Sequence, residues 1–186
     1  MKIHITEEAE LELKRLGFDV ANAIQKTLKY VPSKDIAKID KILIADISTS
    51  SNVAALYVPK HKEYPARIEL YLKRLFSHIK HEESFKLMLA IQEVGLAQAI
   101  FHEIGHHVRR TLSHGIKKAK SEKYANLYAT NALDRYILDN AQLINSCYDS
   151  LIENAAEKNL DINVINNMRS GWMRHYEKAV KRSKKS

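Results

Sequence analysis

The sequence predicts an α+β domain. It is expected to hold a small, three-stranded, mostly antiparallel sheet packed on long helices, with extra helices at both ends. Three observations carry that prediction. Between Ile39 and Tyr71 the apolar residues fall in short runs separated by polar turn chemistry. From Phe85 onward they recur at helical spacing instead. The chain has 186 residues, 45% of them hydrophobic and 28% charged, which suits one globular domain with an appendage rather than a disordered or fibrous chain.

The elements follow in order. Ile3 to Thr6 has the texture of a short strand. Thr6 is a natural N-cap, since Glu7 and Glu8 follow it in a first turn whose dipole favours acids. Leu11, Leu13 and Leu16 form the apolar side of that helix, and Gly17 ends it. A second helix is expected from about Asp19 to Tyr30, with Pro32 beyond it. Ile42, Leu43, Ile44 and Ile47 read as a buried strand, and Ser48 to Asn52 as a turn. Val53 to Val58 is a second strand, and Lys60 to Pro65 a polar connection. Arg67 to Leu72 alternates polar and apolar, as a half-exposed strand does. It is read either as the sheet edge, where an extended peptide could add as one more strand, or as an edge covered by another element. Phe85 to about Thr111 is apolar around most of its circumference, which implies a buried central helix. Ser113 to Lys120 is expected as a loop through Gly115, Ser121 to about Asn140 as a helix, and Ala141 to Ser186 as two or more further helices.

Charge is unevenly spread. The net charge is +8, and residues 169–186 carry +6 of it. That basic tail could draw an acidic partner or nucleic acid, although a solvated terminus reads the same way. No run of about 18 apolar residues occurs, so no membrane partner is expected. No secretory signal is visible, and Cys147 is the lone cysteine. Together these favour a reducing, cytoplasmic setting.

One stretch carries chemistry: His102-Glu103-Ile104-Gly105-His106, a His-Glu-x-x-His within a helix. Four residues at about 100° each bring His102 and His106 to one face, a turn apart. Two imidazoles there can reach one tetrahedral Zn²⁺. Glu103 points aside from that face, where it meets water on the metal rather than the metal itself, as a general base must. With 9 His in the chain, about 0.03 such matches are expected by chance. Two imidazoles and a carboxylate beside a buried helix would cost several kcal/mol without partners, and a cation removes that conflict.

A catalytic zinc site needs a third protein ligand. Glu122, at the start of the next helix, supplies it if the two helices pack antiparallel. Asn126 lies one turn further on the same face and could hydrogen-bond a ligand imidazole, fixing its ring.

His-Glu-x-x-His followed by Glu-x-x-x-Asn resembles the gluzincin metallopeptidases, and the compact size is similar to the minigluzincins. The wording His-Glu-Ile-Gly-His with Glu122-Lys123-Tyr124-Ala125-Asn126-Leu127-Tyr128-Ala129 is also similar to the ImmA/IrrE peptidases. The resemblance covers residues 36–140. It implies a zincin-like fold with a three-stranded sheet, an active-site helix and a glutamate helix. It further implies zinc on His102, His106 and Glu122, Glu103 as catalytic base, and Asn126 behind the ligands. Residues 1–140 are then a metallopeptidase domain with an N-terminal helical extension, and 141–186 a C-terminal helical extension with a basic tail.

The expected function is zinc-dependent hydrolysis of a peptide or protein, Glu103 activating the zinc-bound water. The alternative is a zinc-holding regulatory or binding protein, anti-repressor-like, with little or no turnover. A nucleic-acid-associated role through the tail is a third reading. Other residues are read as structural or exposed: His107 behind the ligands or at the surface, His78, His81 and His114 in solvent, Tyr128 as core, and Cys147 as a buried thiol. Trp172, Tyr176, Ala179 and Val180 form an apolar stripe that docks the last helix on the body.

Overall fold

The computed structural model describes residues 1–46, 53–76, 88–112, 118–157 and 160–184. Ile47, the expected turn at Ser48 to Asn52, His78, His81, the helix start at Phe85, His114 and Gly115 lie outside the described residues.

The chain opens with strand β1 (Lys2–Ile5) and helix α1 (Glu7–Leu16). Thr6 caps α1 by accepting the Ala9 N–H, and Gly17 closes it in the left-handed region at φ 64°. Helix α2 (Val20–Leu28) is capped by Asp19, and Pro32 leads into the single turn α3 (Ser33–Ile36). Strands β2 (Ile39–Ala45), β3 (Ala55–Val58) and β4 (Ala66–Tyr71) follow, then the short α4 (Leu72–Leu75). Three long helices complete the chain: α5 (Leu89–Leu112), α6 (Lys118–Glu153) and α7 (Ile162–Ser183).

The α+β class holds, but the sheet differs from the expected three-stranded, mostly antiparallel one. It has four strands in the order β1-β2-β4-β3 and is mixed. β1 pairs with β2, and β2 with β4, both parallel; only β3 and β4 are antiparallel. The physical reason lies in the connections. α1, α2 and α3 return the chain between β1 and β2, and a crossover of that length makes parallel neighbours. The polar connection before β4 is a hairpin, as its composition suggests: His61 and Tyr64 exchange backbone hydrogen bonds, with Lys62 at φ 48°. That hairpin lays β3 outside β4. The Arg67 to Leu72 strand is therefore internal, and β3 is the edge on that side, with β1 the edge on the other.

Helix α6 also differs from expectation. It starts at Lys118, within the expected loop, and runs unbroken through Asn140 to Glu153. Its two halves serve two apolar clusters. The first joins Ile42, Ile44, Ile68 and Leu70 of the sheet to Leu96, Ile100, Phe101 and Ile104 of α5, with Ala129 and Ala132 of α6. The second joins Ile137, Ile144, Tyr148 and Leu151 of α6 to Ile165, Trp172 and Ala179 of α7. Each large side chain so buried contributes about 1.5–3 kcal/mol. The stripe on the last helix docks as expected, and the Trp172 indole N–H donates to Asn145 Oδ1 at 2.9 Å. Part of the tail's charge is spent inside the chain, Arg169 on Asp149 and Arg182 on Asp134. No described helix is long and apolar enough to cross a membrane.

Three tyrosines of α6 give an alkaline signature. Burial pushes the Tyr148 hydroxyl up to about 12, and pushes Tyr136 and Tyr128 higher still. An unfolded tyrosine titrates near 10. Between these values the folded chain keeps protons that the unfolded chain has lost, so stability present below about pH 10 falls as pH rises. A tyrosinate absorbance titration is expected to show these three ionising with unfolding rather than before it. Smooth titration of every tyrosine near pH 10, with the fold intact, would contradict their burial.

Candidate metal centre

Helix α5 buries Leu96, Ile100, Phe101 and Ile104 and turns His102 and His106 toward α6. The two Nε2 atoms lie 3.0 Å apart. Glu122, in the second turn of α6, brings Oε2 to 3.5 Å from His102 Nε2 and Oε1 to 3.5 Å from His106 Nε2. The three side chains offer donor atoms that all lie within 4.8 Å of one another. They form a set that could hold a metal ion.

Convergence depends on how closely α5 and α6 pack. A Cβ built on Gly105 would lie 2.7 Å from Ala125 Cα and 3.1 Å from both the Ala125 carbonyl oxygen and Tyr128 Cβ. Glycine facing alanine therefore sets the spacing, and Glu122 sits one turn from that contact. The ring of His106 is oriented by Ser121, whose hydroxyl lies 3.0 Å from Nδ1. That leaves Nε2 facing His102 and Glu122. Burial lowers the pKa of His106, and His102 lowers it further against the opposing pull of Glu122. A neutral imidazole is the form with a lone pair to give.

Asn126 lines the same cavity but is exposed, and it makes no hydrogen bond to either imidazole among the described residues. The position expected for Asn126, behind a ligand ring, is taken by Ser121.

Glu103 reaches the edge strand β3. It is 7% exposed, and its Oε2 accepts the Tyr57 N–H of β3 at 2.6 Å. Burial raises its pKa; the Tyr57 N–H and His102 pull down, and Glu122 pushes up. His107 is buried too, at 4% exposure, which excludes the surface position. Its Nδ1 lies 2.9 Å from the Tyr57 hydroxyl. Tyr57 thus ties the edge strand to α5 twice, by its backbone on Glu103 and by its side chain on His107. Tyr128 is committed elsewhere, donating to Asp35 Oδ2 at 2.8 Å.

Ser121, Gly105 and Tyr57 are residues whose part sequence reasoning missed. Ser121 stands beside Glu122 and could have been found as its neighbour on the same turn. Tyr57 carries no local signal, because its partners lie 46 and 50 positions away.

The site opens into a cavity of about 1340 Å³ bounded by β3, α4, α5 and the first half of α6. Ala54 accepts the Tyr71 N–H, so even-numbered residues of β3 address β4. Ala55 and Tyr57 address the cavity instead. No family model matches this chain, and neither a curated protein nor a solved structure does.

Proposed function

We propose that this chain is a small zinc peptidase, with His102, His106 and Glu122 as metal ligands and Glu103 as general base. One observation carries the reading: the spacing of the donor atoms. A tetrahedral ion with bonds of about 2.0–2.1 Å has ligand atoms about 3.3 Å apart along each edge. Here the two Nε2 atoms lie 3.0 Å apart, each lies 3.5 Å from one of the two Glu122 carboxylate oxygens, and one donor atom from each residue lies within 4.8 Å of the others. Two imidazoles and one carboxylate match the catalytic class of zinc site, which keeps one position open.

When bound, the ion would supply a Lewis acid that polarises the scissile carbonyl and makes water easier to deprotonate. The chain's own residues do the rest. Glu103 takes the proton from the attacking water and passes it to the leaving amine. The Tyr57 N–H holds that carboxylate to one orientation. The cavity-facing backbone of Ala55 and the Tyr57 carbonyl can pair with an extended peptide, a mode that tolerates many sequences. The edge that receives it is β3, not β4. The likeness to the gluzincins accords with this ligand set.

The test is metal analysis joined to cleavage. Purified protein is expected to hold about one zinc per chain, to cleave an unfolded protein substrate, and to lose cleavage to a chelator. His102→Ala is expected to lose both zinc and cleavage. Zinc without turnover would overturn the peptidase reading in favour of a zinc-holding binding protein. Absence of zinc would overturn both.

A further inference from the structure

We propose that the cleft selects peptides carrying an acidic side chain close to the scissile bond, received by Arg109, Arg110 and Lys118. The inference rests on the peptidase reading and names its substrate class. It begins with an asymmetry of charge. Beyond His106, the cavity wall carries Arg109 and Arg110 from the end of α5 and Lys118 from the start of α6. On the other side of the imidazoles the two helices add no charge, with Gly95, Gln98 and Ala99 of α5 and Ala129, Thr130 and Leu133 of α6; the one further cation on the wall among the described residues is Arg74 of α4.

Among the described residues the acids lining this cavity are Glu103 and Glu122, and neither pairs with those cations. Glu103 is buried on the Tyr57 N–H, and Glu122 sits against the imidazoles. Five other described arginines have polar partners within the chain. Arg15, Arg67, Arg169 and Arg182 hold carboxylates, and Arg135 holds a carbonyl oxygen. Arg109 is instead held over the Tyr124 ring, 5.5 Å from its centroid, and its Nε is buried without a hydrogen-bond partner. Arg110 and Lys118 are exposed and make no ion pair among the described residues. A guanidinium kept in place without a carboxylate of its own chain is ready for one from outside.

Distance sets where the acid must lie. Arg109 and Arg110 follow His106 by three and four residues, about 4.5–6 Å along the helix axis. An extended peptide advances about 3.3 Å per residue. A carboxylate within about two residues of the scissile bond falls opposite these cations. The β3 edge favours a polypeptide over a nucleic acid as the anion's carrier, since it offers backbone groups in strand geometry.

The test separates recognition from hydrolysis. Zinc-supplemented Glu103→Gln protein is titrated against matched fluorescein-labelled peptides that differ only in Glu or Lys beside a central Ala-Ala, and against a labelled single-stranded oligonucleotide. The Glu peptide is expected to bind at least about tenfold tighter than the Lys peptide at low salt, with the gap closing as salt rises. Adding the exposed substitutions Arg110→Gln and Lys118→Gln is expected to remove most of that gap. Equal binding, a preference for Lys, no binding of either peptide, or tighter binding of the oligonucleotide would each overturn the proposal. The peptidase reading is judged apart from it. Wild-type protein that binds the Glu peptide without cutting it sinks hydrolysis and leaves acid recognition standing. Wild-type protein that cuts both peptides equally does the reverse.

Discussion

Glu103→Gln is expected to lower peptide hydrolysis by about a hundredfold to ten-thousandfold, the range that a positioned general base contributes, with zinc stoichiometry unchanged. The amide is nearly isosteric with the acid. Its oxygen can still accept the Tyr57 N–H that now reaches Oε2 at 2.6 Å, so β3 stays tied to α5. What is lost is the capacity to take a proton. Glu103 is buried and is not one of the three grouped donors, so the ligand donors are untouched. Folding stability is expected to hold or rise slightly, because a neutral amide is cheaper to bury than a carboxylate. The measurements are zinc per chain, thermal midpoint and the rate of cleavage on one preparation. Cleavage at the wild-type rate would remove Glu103 from the chemistry. Loss of zinc would make it a structural support of the ligands.

The centre was legible in the sequence to the extent that one helix determines it. Helical periodicity alone puts His102 and His106 on a common face, and their Nε2 atoms meet at 3.0 Å. Glu122 required one further step, that consecutive helices joined by a short link pack antiparallel, and it too reaches the pair. What could not be read were contacts set by long-range approach. No local pattern marks Tyr57, whose N–H meets a carboxylate 46 positions later. The sheet order was hidden for the same reason. β1 pairs with β2 across three intervening helices, and the short runs between Ile39 and Tyr71 suggested sequential hairpins. Only the β3–β4 hairpin is one. Helix α6 outran its expected end because nothing at Asn140 stops it; the Asn140 side chain donates to the Tyr136 carbonyl within the helix.

Gly105→Val is the second large effect, and it tests whether helix spacing governs the centre. Gly105 faces backbone: its added Cβ would meet Ala125 Cα at 2.7 Å. A backbone atom in a fully buried helix contact cannot swing aside as a side chain can, so α5 and α6 must separate. Overpacking of this kind costs about 1–3 kcal/mol. A shift of α6 carries Glu122 with it, and the donors at 3.5 Å from the imidazoles move out of reach of a common ion. Zinc affinity is expected to fall by at least about tenfold, the scale on which misplaced supporting groups act. Gly95→Ala supplies the opposite sign within the same helix. Its added Cβ meets nothing within 4 Å, so the gain in helix propensity, up to about 1 kcal/mol, is not offset by a clash. The pair is read by thermal unfolding with and without zinc. The metal should raise the midpoint of Gly95→Ala as it does that of wild type, and raise that of Gly105→Val far less. Equal metal-dependent stabilisation of both variants would mean that the Gly105–Ala125 contact does not set the position of Glu122.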